Sequence, residues 1–71
     1  MDGQETFRRA LEEAYLDEAE AVEFYGRLAR TAPDPWLAVH FENVRRDEAR
    51  HAWMWANMLQ LFGWWPPRRH A

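Results

Sequence analysis

The sequence has no cysteine and no lysine, only three glycines and four prolines, and no apolar run of membrane-spanning length. Without cysteine there are no disulfides and no thiolate metal sites. That exclusion matters because 71 residues form one small domain, and such a chain rarely buries enough apolar surface alone to offset its ordering entropy. Self-association, a metal held by oxygen and nitrogen, or both remain as remedies. Long basic runs are lacking too. The formal net charge is −3 and the terminal PPRRHA is only a short basic tail, which argues against nucleic acid as a partner. Met1 is followed by acidic and polar residues, so no signal peptide is read. The expectation is a soluble cytoplasmic protein with no membrane partner.

Apart from Gly26, read as a single glycine tolerated within the first helix, glycine and proline gather at the boundaries of two long segments. Asp2 and Glu5 have the spacing of a capping box for a first helix over about 3–32. The segment TAPDP then breaks the chain, with a turn at 33–34. Asp34 is a natural N-cap and Pro35 a natural first residue for a second helix over about 35–62. Gly63 supplies a stop, and Pro66–Pro67 forbid continuation through the tail, 63–71. The whole chain, 1–71, reads as a single all-α antiparallel two-helix hairpin.

Apolar positions step by three and four along one face of each segment. In the first they are Phe7, Leu11, Ala14, Ala21, Tyr25 and Leu28; in the second, Leu37, Phe41, Val44, Trp55, Met58 and Phe62. The gap in the first stripe is Glu18, and the gaps in the second are Glu48 and His51. Glu18 lies sixteen residues before Asp34, while Glu48 and His51 lie fourteen and seventeen after it. At about 1.5 Å per residue, all three sit roughly 20–25 Å from the turn. Three ligand-type side chains are thus expected at one level of one seam.

Buried carboxylates must be neutralised. One hairpin offers two Glu and one His; two hairpins about a two-fold axis offer four Glu and two His. That is the ligand set of carboxylate-bridged di-iron and di-manganese bundles. Carboxylate oxygens suit ferrous and ferric ions and can bridge two metals, and imidazole completes each sphere. The i,i+3 spacing lets Glu48 and His51 share one metal. A lone Glu-x-x-His is common on helix surfaces; the seam position and the depth-matched Glu18 distinguish this one. The competing reading is a buried Glu–His–Arg network that gives register to a helical dimer. Arg45 and Arg50 are expected to point away from the seam.

EAEAVEFYGRLA at 18–29 together with DEARHA at 47–52 resembles the ferritin-like superfamily in its rubrerythrin and encapsulated-ferritin branches. The shared pattern is Glu18, Ala21, Tyr25 on one helix and Glu48, His51, Ala52 on the next. The spacing of the two Glu and the Asp34–Pro35 turn are most similar to encapsulated ferritin, a half-ferritin. This resemblance implies a homodimer or larger assembly forming a ferritin-like four-helix bundle, with Glu18, Glu48 and His51 as ligands from each chain. It further implies Tyr25 beside the metals and Asp17 and Glu20 facing a region of metal access. Phe24 and Asn43 depart from the pattern, as does the lack of a third short helix and of an encapsulin-targeting peptide. A free-standing half-ferritin is therefore the closer description than cargo of an encapsulin shell.

The expected function is a ferroxidase in iron storage or detoxification. It would oxidise Fe(II) with O2 or peroxide at a di-iron centre, with manganese as the other candidate metal. Glu48 is read as the bridging carboxylate, Glu18 and His51 as terminal ligands. Tyr25 is either core, a hydrogen-bond partner of a ligand, or an electron donor. Asp17, Glu20 and Glu23 are read chiefly as a solvated face, and Asp47 as a surface residue one turn from His51. Trp36, Trp53, Trp64 and Trp65 exceed what one hairpin can bury and point to an interface; His40 is off the seam. The other function classes are a rubrerythrin-like peroxide reductase, a metal-stabilised dimerisation module and a metal-free helical interaction protein.

Overall fold

The computed structural model describes residues 3–68, which form two helices, α1 (Gly3–Thr31) and α2 (Pro35–Leu61). No strand occurs among the described residues, and no helix is long and apolar enough to cross a membrane. The capping partner Asp2 and the tail residue His70 lie outside the described residues.

Local chemistry explains where the helices stop and start. Asp34 is extended (φ −138°, ψ 156°), and its side chain accepts the Leu37 N–H at 3.0 Å, with Pro35 next in line. This satisfies one orphan donor, and proline loses nothing at a position whose N–H has no partner. At the other end of α2, Gly63 adopts φ 80°. Its N–H reaches the Gln60 carbonyl at 2.9 Å, and the Trp64 N–H reaches that of Leu59 at 3.0 Å. That pair is a Schellman motif, which needs a left-handed residue and hence glycine.

The cap turns the tail back onto α1. Trp64 stacks on Phe62 at 4.9 Å, Phe62 meets Phe7 edge-on at 5.5 Å, and the Arg8 guanidinium lies 5.3 Å over the Trp64 ring. These contacts close the open end of the hairpin. Toward the turn, Tyr25 stacks against Phe41 at 6.3 Å.

Between these ends the seam differs from the sequence stepping in three respects. Leu59, not Met58, is the buried residue of α2: Leu59 is fully buried, whereas Met58 keeps 37% of its surface. Phe41 and Leu59 are five full turns apart and so face the same way, while Met58 falls about 100° to the side. Gly26 is buried against α2 and is more than a tolerated helix residue. A Cβ there would lie 3.2 Å from Arg30 Nη1 and 3.5 Å from Arg45 Cδ. Arg45 accordingly does not point away from the seam; its stem crosses toward α1. Arg50 does point outward, 73% exposed and paired with Asp47.

The molecule is a slab of 50 × 23 × 16 Å. Large apolar side chains remain outside it: Trp36 is 75% exposed, Trp53 71%, Leu61 85% and Trp65 77%. Replacing Asp34 with Ala is expected to cost about 1 kcal/mol of stability through the lost cap. Leu59→Ala is expected to cost about 2–5 kcal/mol through the cavity it leaves. Denaturant titration of both variants checks the order, and equal effects would contradict it.

Candidate metal centre

Glu18 is the sixteenth of the 29 residues of α1, and Glu48 the fourteenth of the 27 of α2. Both helices therefore carry their carboxylate at mid-length, and antiparallel packing brings the two midpoints level. His51, three residues after Glu48, returns to the same helix face. One ligand-type atom each from Glu18, Glu48 and His51 lie within 4.8 Å of one another. His51 Nδ1 is 3.7 Å from Glu18 Oε1. The side chain of Glu18 is 24% exposed and that of His51 54%, so the group sits at the seam and opens on one side.

The electrostatics of the cluster are unfavourable without a cation. Glu18 Oε2 is buried and has no hydrogen-bond partner. Glu18 holds its proton more tightly than an ordinary carboxyl. The largest cause is the hydrogen bond it can donate to Glu48 when protonated, followed by burial and the charge of Glu48. His51 opposes the shift and Asp17 adds to it. A divalent cation held by the cluster would relieve the same repulsion. Two carboxylates and an imidazole suit Fe, Mn or Zn; they are too hard for a cuprous ion and too nitrogenous for a calcium cage. The residues present therefore fit a divalent transition metal, with Glu18, Glu48 and His51 as its holders. Three donors from one chain would leave a position open for water or a further ligand.

The other sequence candidates fall in different places. Asp17 is exposed beside the cluster, and its charge reaches Glu18. Glu20, two residues and so about 200° from Glu18, lines a separate groove on the flank of α1 with Tyr15, Leu16, Glu23 and Arg27. Tyr25 is about 10 Å further along the helix than Glu18, by seven residues of rise, and its ring lies between Phe24 and Phe41. His40 is exposed and stacks on Trp36 at 6.3 Å. Glu42 was not singled out by the seam pattern, yet it binds both Arg45 and Arg46. The Glu-x-x-Arg-Arg spacing at 42–46 carried that signal.

The raised Glu18 proton affinity fixes a sign. The folded chain binds this proton more tightly than the unfolded chain, so the contribution is favourable at low pH. It is lost as pH rises from the ordinary carboxyl value of 4.5 through the raised one. Glu18→Gln cannot ionise and can donate to Glu48. In metal-free protein it is expected to raise the thermal midpoint at neutral pH and flatten the decline above pH 4.5. A midpoint that fell at neutral pH would contradict this account. Compared with known protein families, curated proteins and solved structures, the chain matches none.

Proposed function

We propose that two copies of the hairpin pack face to face as a ferritin-like four-helix bundle and act as a ferroxidase. The dinuclear centre is built from Glu18, Glu48 and His51 of both chains. The observation that carries this reading is the convergence of one ligand atom each from Glu18, Glu48 and His51 within 4.8 Å, together with a Glu18 Oε2 that is buried and unpartnered. Two further observations support it. The chain exposes 5416 Å², against about 4,700 Å² for a monomer of its mass. The excess is close to one side of a standard interface, about 800 Å². Placing the cluster at mid-length also lets two hairpins, turned end for end about an axis through it, overlap over their whole length.

Fe(II) is the substrate in this reading. Two ferrous ions supply the two electrons that reduce O2 to peroxide, or peroxide to water, with protons drawn from solvent. The carboxylates favour the ferric product because hard oxygen donors match the higher charge. Glu18, Glu48 and His51 of each chain would together hold the two ions. The rise in Glu18 proton affinity means that binding a cation releases protons in acidic solution, so affinity increases with pH. One dimer encloses no cavity for mineral, so the chain oxidises iron and a larger assembly or compartment would store it.

Anaerobic Fe(II) titration followed by O2 tests the reading. The expected result is saturation near one iron per chain, then rapid growth of ferric absorbance in the near ultraviolet. Glu48→Ala and His51→Ala are each expected to weaken binding at least about tenfold. Binding without oxidation leaves a structural, metal-stabilised dimerisation module. Unchanged binding in both variants would sink the assignment of the site.

A further inference from the structure

Arg45 stands midway between two carboxylates of its own helix, three residues after Glu42 and three before Glu48. Each step of three residues rotates by about 60° in the same sense, so both carboxylates are within reach of its guanidinium. The structure gives it to Glu42. Arg45 Nε donates to Glu42 Oε1 at 2.8 Å and Nη2 donates to Oε2 at 2.7 Å, a two-pronged match of fork to carboxylate. Arg46 Nε donates to the same Oε2 at 3.3 Å. These bonds hold the Glu42 carboxyl at a pKa of about 2, so it is ionised and able to accept at any ordinary pH.

Two features favour that direction. Helical side chains lean toward the N-terminus of their helix, which favours Glu42 over Glu48. The stem of Arg45 also lies against Gly26 of α1, where an added Cβ would stand 3.5 Å from Cδ. The stem is thus held between the helices while the charged head is drawn back to Glu42.

We infer that Glu42 is a positioning residue for the metal centre: by holding Arg45 it keeps a permanent cation off Glu48 and leaves the Glu18–Glu48–His51 cluster to a divalent metal. This rests on the reading of that cluster as a metal site. Arginine does not lose its proton at any working pH. A guanidinium on Glu48 would occupy the oxygens a metal needs and repel the incoming ion.

Titration of the full chain with Co2+, followed by its visible absorbance, tests the inference. Wild type, Glu42→Gln, Arg45→Met and the double variant are compared, with helicity checked by circular dichroism. Glu42→Gln is expected to bind Co2+ about tenfold more weakly. The double variant is expected to regain wild-type affinity within about twofold. Arg45→Met alone is expected to bind no more weakly than wild type. Undiminished binding by Glu42→Gln overturns the inference. So does a double variant as weak as Glu42→Gln, or weakened binding by Arg45→Met, because each makes the Glu42–Arg45 pair a structural brace. Wild type that binds no Co2+ overturns the metal reading itself, and is seen before any variant is compared.

Discussion

A hairpin of two helices has one seam, and the middle of this seam holds Glu18, Glu48 and His51. Everything else in the molecule is arranged around that polar level. Ring contacts lie toward the two ends of the seam: Phe7, Phe62 and Trp64 at one, Tyr25 and Phe41 at the other. Only Leu11 and Leu59 are buried large side chains among the described residues. A core this thin leaves little stability to offset an unneutralised carboxylate pair. Glu18 accordingly holds its proton more tightly than an ordinary carboxyl, with Glu48 and burial as the causes.

The same constraint accounts for the apolar surface that the fold leaves outside. Met54 and Met58 lie one and two turns beyond His51, and both are about 40% exposed. Phe24 flanks α1 at 47% exposure. In the proposed dimer Met54 and Met58 would add apolar cover beside a site whose own residues are polar, while Phe24 belongs to the groove on the flank of α1. Water would then be excluded from the carboxylates, where low polarity strengthens their hold on a cation.

The sequence carried the punctuation and the depth of the site because both are local or nearly so. Asp34, Pro35 and Gly63 act within a few residues of themselves, and their cap geometry follows from side-chain chemistry alone. The level match of Glu18 with Glu48 needed only the turn and a constant rise per residue. What the sequence did not carry depends on how each helix is rotated about its own axis. Leu59 replaces Met58 because rotation is set by the partner helix. Gly26 gains its meaning only when Arg45 lies across it, and the direction of Arg45 depends on a choice between two equally spaced carboxylates. The tail contact of Trp64 with Arg8 likewise joins residues 56 apart in sequence, beyond the reach of any periodicity.

The composition now has a partial physical account. All nine basic residues are arginine, and at 42–46 the difference between arginine and lysine matters. A lysine ammonium is a point charge on a flexible stem, able to swing between Glu42 and Glu48 with little geometric preference. Arginine at 45 uses Nε and Nη2 together on both oxygens of Glu42, so moving to Glu48 means breaking two bonds in one plane. Directional pairing thus lets a chain with a net charge of −3 keep cations close to its carboxylate cluster without placing them in it. Arg50, bound to Asp47 and 73% exposed, follows the same arrangement one turn further on. The acidic partners of these arginines lie outside the seam, and the two carboxylates inside it are left facing each other.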